Sequence, residues 1–311
     1  MEFFHKQTNI DFMGLSRYTA VFSVLVCVVS FALLWTKGLN FGLDFMGGAQ
    51  IELRYEAPIE TDYVRSLLQT AGYHDAKVIH YGSTQDILVR ISKQAQMSES
   101  DLAHRLKMVL ANDLEHPAFL RRVEFVGSEV GSQLAEQGTL AVMVAVLATM
   151  LYIALRFEYR FAVSAAVALL HDPVLILGIF AGLQLEFDLA TLAAILSVVG
   201  YSLNDTIVVF DRVRENFLKV RQSTPTEIMN LSINQTLSRT IMTSFMTLMV
   251  VVALFFFGGE SLHGFSTALL IGILIGTYSS IYVAGSFALK LGLSRADLLP
   301  KSSLKVVDNQ P

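Results

Sequence analysis

Gly200-Tyr-Ser-Leu-Asn-Asp-Thr-Ile-Val-Val-Phe-Asp-Arg-Val-Arg-Glu215 closes an apolar run that begins at Leu189. From Leu189 to Phe210 the run is long enough to cross a bilayer as a helix, which takes roughly 17 residues or more. Asn204 and Asp205 therefore fall inside the hydrocarbon, short of the polar exit at Asp211 and Arg212. A charged group at that depth costs about 3 kcal/mol on insertion scales and more in simulations, so it calls for a partner or a purpose.

Five further apolar runs set the class: Tyr18–Trp35, Thr139–Leu155, Phe161–Leu183, Thr240–Phe257 and Gly264–Leu289. The chain is 53% apolar and 16% charged, against about 25% charged in soluble domains. This is the composition of an α-helical polytopic membrane protein with six transmembrane helices. The net charge of −4 says little about partners, and no basic tract suggests nucleic acid. The first run ends Trp35-Thr-Lys-Gly38 without an Ala-x-Ala-like cleavage site, so a retained helix is expected rather than a signal peptide. The single cysteine, Cys27, excludes an internal disulfide and a cysteine-based metal site.

Basic residues sort the connections. Lys6 and Arg17 precede helix 1, and Arg156 and Arg160 join helices 2 and 3. Arg212, Arg214, Lys219 and Arg221 join helices 4 and 5, and Lys290, Arg295, Lys301 and Lys305 follow helix 6. The links 184–188 and 258–263 hold no Lys or Arg. Every second connection is basic, which predicts both termini in the cytoplasm. Residues 1–17 and 291–311 are then cytoplasmic, 18–36 is helix 1, 37–136 lies outside, and 137–290 carries the other five helices.

The outside segment has the pattern of an α+β domain. After Phe41-Gly-Leu-Asp-Phe-Met-Gly-Gly48, whose glycines suit a tight turn, Gln50–Glu56 alternates as a strand with Ile51, Leu53 and Tyr55 on one face. Thr61–Gly72 is an amphipathic helix, and Lys77–Tyr81 and Ile87–Ile91 are strands about the turn Gly82-Ser-Thr-Gln85. Ser98–Leu114 is a second helix and Arg122–Val126 a last strand. The order βαββαβ predicts a ferredoxin-like sandwich. Its histidines lack metal-ligand spacing. Between helices 4 and 5, Thr224-Pro-Thr-Glu227 is a capping box, opening an amphipathic helix to about Leu237 that is expected along the inner membrane surface.

Ser197, Tyr201, Asn204 and Asp205 share one helical face, a stripe that suits either a wet path or a buried polar seam. Arg239, at the inner end of helix 5, is the expected cation for Asp205, followed by a hydroxyl stripe at Thr240, Thr243, Ser244 and Thr247. Such a pair is either a coupling site or a static register lock. Asp172, in Leu170-His-Asp-Pro-Val174, either extends a proton relay with His171 or satisfies the turn that Pro173 breaks. Gly272-Ile-Leu-Ile-Gly276 with Ser279 and Ser280 is a small-residue packing face. No nucleophile constellation marks an enzyme, and no cofactor or metal is expected.

Asp44-Phe-Met-Gly-Gly48, His171-Asp-Pro173, Gly200–Glu215, Gln235-Thr-Leu-Ser-Arg-Thr240, Phe257-Gly-Gly259 and Gly276-Thr-Tyr-Ser-Ser-Ile-Tyr-Val283 together closely resemble the SecF family of bacterial protein-export membrane subunits. The resemblance implies the resistance–nodulation–division superfamily, in which two six-helix halves pack as a pseudo-symmetric pair in the bacterial inner membrane. SecD would be the other half. The SecYEG channel, YajC and a translocating preprotein would be further partners, and the proton (or sodium) motive force would be the energy source. Asp205 and Arg239 stand where the family implicates ion coupling. Two alternatives remain at this point: half of a small-molecule or lipid exporter of the same superfamily, or a static scaffold subunit.

Overall fold

A computed structural model describes residues 8–81, 83–91, 105, 108–109, 116–220 and 222–294. In chain order these form α1 (Ser16–Thr36), β1 (Asn40–Phe41), α2 (Leu43–Met46), β2 (Gly48–Tyr55), α3 (Thr61–Thr70), β3 (Lys77–Tyr81), β4 (Ser83–Ile91) and β5 (Ala118–Val126). There follow α4 (Ser128–Arg156), α5 (Tyr159–Leu183), β6 (Glu186–Phe187), α6 (Leu189–Lys219) and α7 (Pro225–Phe257). The last long helix is α8 (His263–Tyr278), a π turn (Ser279–Ala284) and α9 (Gly285–Lys290) in continuous succession.

Among the described residues six helices are long and apolar enough to cross a membrane. Within the chain, α5, α6 and α8 are about half buried, whereas α1, α4 and α7 leave most of their surface open. The central helices carry small residues where they meet. A Cβ on Gly276 would lie 3.1 Å from the Ser202 side chain of α6, so the expected packing role of this glycine stands. At one end of the bundle Phe161, Phe210 and Phe217 are buried with Ile228, Met229 and Ile233 of α7. The Phe161 and Phe210 rings lie 4.7 Å apart.

The expected surface helix 225–237 is corrected. Pro225–Phe257 is one uninterrupted helix. No glycine or proline stands between Leu237 and Thr240 to break the ladder, and the apolar face of the first turns packs on Phe12, Met13, Val213 and Phe217. The capping box forms as expected: Glu227 N donates to Thr224 Oγ1 at 3.3 Å and Thr224 N to the Glu227 carboxylate at 2.9 Å. Thr224→Ala is expected to lower stability by about 1 kcal/mol, read as a small fall in the thermal melt of the purified subunit.

Between α1 and α4 lies a small mixed domain. Its sheet has the order β3-β4-β2-β5, all pairs antiparallel. Alternation puts Ala49, Ile51, Leu53 and Tyr55 of β2 inward with Ile87, Val89 and Ile91 of β4, and α3 covers them with Val64 and Leu68. Two strands are longer than expected. β4 begins at Ser83, so Ser83–Gln85 are strand rather than turn, and β5 begins at Ala118. The expected helix Ser98–Leu114 lies largely outside the described residues. Helix α4 starts at Ser128, well before its apolar run, directly after β5.

The domain is tied to the helix bundle at one rim. β1 pairs in parallel with β6, Asn40 opposite Glu186 and Phe41 opposite Phe187. Gly47 and Gly48 both have positive φ (68° and 134°), which lets the chain turn from α2 into β2. α4 packs tightly on this turn: a Cβ on Gly131 would lie 3.0 Å from the Phe45 carbonyl oxygen.

Candidate functional site

Two carboxylates are buried among the membrane helices. Asp205 of α6 is 7% exposed and Asp172 of α5 is fully buried. Each Asp205 oxygen accepts one hydroxyl bond: Thr240 Oγ1 of α7 donates to Oδ1 at 2.6 Å, and Ser280 Oγ of the π turn donates to Oδ2 at 2.7 Å. At Asp172, Oδ2 accepts from Ser202 Oγ of α6 at 2.5 Å and from Ser279 Oγ at 2.8 Å. Asp172 Oδ1 lies 2.9 Å from His171 Nδ1.

The π turn explains how neighbours on one helix serve two sites. Its i→i+5 bonding widens the helix, so consecutive side chains diverge by less than the roughly 100° per residue of an α-helix. Ser279 and Ser280 therefore point to Asp172 and Asp205 respectively. Sequence reasoning assigned both serines to packing. Their signal, two adjacent hydroxyls at the level of two intramembrane acids, is visible only once the helices are placed.

The expected Asp205–Arg239 ion pair is also corrected. The Asp205 carboxylate is held by hydroxyls, and Arg239 is exposed on the surface of this chain. Thr240 is the reason: one step along α7 turns the side chain by about 100°, so the helix face that brings Thr240 to Asp205 carries Arg239 outward.

The polar stripe divides. Tyr201 donates its hydroxyl to Ser244 Oγ at 2.9 Å, and Ser244 in turn lies 2.9 Å from Thr277 Oγ1 of α8. Ser197, Asn204 and Thr243 face the open side of the chain. Ser197 and Thr243 bond only their own helices there, at Ala193 O and at Arg239 O and Thr240 O. Among the described residues no three His, Cys, Asp or Glu side chains converge as a metal site would need.

The far end of α6 reaches the small domain. Asp188 caps the helix by accepting from Thr191 N at 2.7 Å, and Asp44, on the turn into β2, accepts from Leu189 N at 3.0 Å. Arg90 of β4 is ion-paired with Glu186 of β6. Lys77 Nζ donates to Asn40 Oδ1 at 2.7 Å, and the Tyr81 hydroxyl meets Ser261 Oγ at 3.1 Å. A cavity of about 650 Å³ lies between the sheet and this rim.

The description "Protein export membrane protein SecD/SecF, C-terminal" matches residues 108–294, and "SecD/SecF GG Motif" matches residues 32–59. The chain belongs to the SecF family. It is 48% identical to the protein translocase subunit SecF of Vibrio alginolyticus over 294 residues, covering 94% of this chain and 93% of that one. It is 45% identical to SecF of Pseudomonas aeruginosa, covering 97% and 98%. A crystal structure of SecDF from Thermus thermophilus, described as a translocon-associated membrane protein, superposes with a TM-score of 0.82 at 36% identity. That match covers 92% of this chain and 39% of the longer SecDF chain. This SecF-family chain is thus a multi-pass subunit of protein export in the bacterial inner membrane, a transport component and not an enzyme.

Proposed function

We infer that this subunit, paired with SecD, uses the proton (or sodium) motive force at Asp205 to promote a late stage of protein export. The observation that carries the reading is the Asp205 carboxylate itself: inside an apolar helix, nearly buried, and held by two hydroxyls on two other helices. A carboxylate only accepts hydrogen bonds, whereas its protonated form also donates one. Loading a proton therefore changes what Asp205 does with Thr240 and Ser280, and the contacts of α6 with α7 and the π turn change with it. An ion moves a conformational equilibrium only by such differential contacts.

The output is the small domain. α6 runs unbroken from Asp205 to its cap at Asp188, where Asp44, Glu186 and the β1–β6 pairing join it to the sheet. The alternation of basic connections favours both termini in the cytoplasm, which makes the small domain periplasmic. The antiparallel strand order β3-β4-β2-β5 favours the ferredoxin-like reading of that domain. SecD as partner is supported by the likeness to a SecDF chain of which this one spans 39%. SecYEG, YajC and the translocating preprotein rest on family resemblance. Arg239, exposed beside the site, supplies the nearby positive charge.

The test uses sealed membrane vesicles carrying the subunit with SecD, following late release of a preprotein with and without an ion gradient. Asp205→Asn is expected to abolish the response to the gradient at unchanged subunit level. A gradient response equal to wild type would sink the reading.

A further inference from the structure

We propose that His171 and Asp172 form a second proton-binding station, coupled to Asp205 through the π turn. The proposal rests on the reading of Asp205 as the ion-coupling site and adds a partner to it.

Three observations carry it. First, Asp172 is fully buried, and no lysine or arginine among the described residues pairs with it. The groups that face the pair are Cys27 of α1, Ser202 of α6, and Tyr278 and Ser279 of α8 and the π turn. Among the described residues its basic neighbour is His171. Second, His171 is itself buried, with Nδ1 on Asp172 and Nε2 shielded from solvent without a hydrogen-bond partner. A histidine kept only to anchor a helix would be expected to use both nitrogens, since a buried polar atom left without a partner is costly. Third, the bonds of the pair lead away from the turn that Pro173 interrupts. They run to each other, to α6 and to the π turn, so patching the break in α5 is not their work.

The charge balance is simple. Neutral His171 with the Asp172 carboxylate carries one net negative charge; one added proton, shared between imidazole and carboxylate, brings the pair to neutrality. That uptake weakens what Asp172 offers to Ser202 and Ser279. Ser279 is followed directly by Ser280, which serves Asp205. π turns are rare single-turn distortions of α-helices, and here the two serine–carboxylate bonds both leave from the same one. Changing either carboxylate alters the pull on the same turn, so the two sites bias each other, and reciprocally.

The test follows gradient-driven preprotein release in the same vesicles as a function of pH, for wild type, Asp172→Asn, His171→Gln and Asp205→Asn, at matched subunit levels. Asp172→Asn keeps the shape and most of the hydrogen bonds, so a purely structural role predicts an unchanged pH profile. The expected result is a profile displaced by about one pH unit or more, as for sites that interact strongly, in both Asp172→Asn and His171→Gln, and complete loss in Asp205→Asn. If Asp205→Asn loses the response while the other two variants keep the wild-type profile, the second station is overturned and the reading of Asp205 stands. If Asp205→Asn itself responds normally, that reading falls and takes the second station with it. A wild-type response set by sodium and indifferent to pH would overturn the second station alone.

Discussion

Gly178→Val is expected to leave α1 undocked and the subunit depleted from the membrane. A Cβ at Gly178 would overlap Ser30 of α1, including its backbone Cα and not just a side chain that can rotate away. Ser30 is 3% exposed, so the contact lies inside the α1–α5 interface. Overpacking a core typically costs about 1–3 kcal/mol, and more where backbone must move. Close helix packing at small residues is the main attraction between membrane helices, so parting α1 from α5 forfeits the contact along its whole length. Losses of this size change steady-state abundance several-fold. Immunoblots of membranes and thermal melts in detergent would read the effect, and Gly178→Ala should fall between. Wild-type abundance and melting for the valine variant would contradict the packing described here.

The second large effect is expected at the rim. Glu186→Arg would set a second guanidinium against Arg90, at side chains only 24% and 29% exposed in the native pair. The domain then loses its ion pair with the bundle and gains a repulsion. The Asn40–Lys77 and Tyr81–Ser261 bonds nearby are single, exposed contacts. Proteolysis near the junction should speed up, and gradient-driven release should fall while the Asp205 site stays intact. Arg90→Glu in the same chain restores opposite charges, and the double variant should recover most of both readouts. Directly contacting residues typically show coupling of about 0.5–3 kcal/mol in such a cycle. Additive effects with no rescue would mean that the ion pair does not hold the domain.

Much of this was legible in the sequence, because six runs of apolar residues admit few structures in lipid and strict alternation marks β2 and β4. The buried acids were legible too, since Asp172 and Asp205 stand out in their runs. The errors at the buried acids share one cause: periodicity gives a face but not which neighbour on that face meets a partner. Arg239 attracts attention by its charge, yet Thr240, one step on, reaches the carboxylate. Ser279 and Ser280 look like packing residues until a local widening of the helix turns both toward acids on different helices. The junction at Leu237 misled for the opposite reason. A change from amphipathic to apolar composition suggests a boundary, but composition does not stop a helix when no glycine or proline interrupts it.

The continuity of α7 has a mechanical consequence. At about 1.5 Å per residue, its 33 residues make a rod about 50 Å long, against a hydrocarbon layer of about 30 Å. Thr240, which touches Asp205, lies near the middle of that rod, and Thr224 caps one end. A small tilt about the acid is thus magnified at the tip. If Asp205 takes up a proton as proposed, the helix acts as a lever, and anything seated on residues 225–237 would feel that uptake as a displacement.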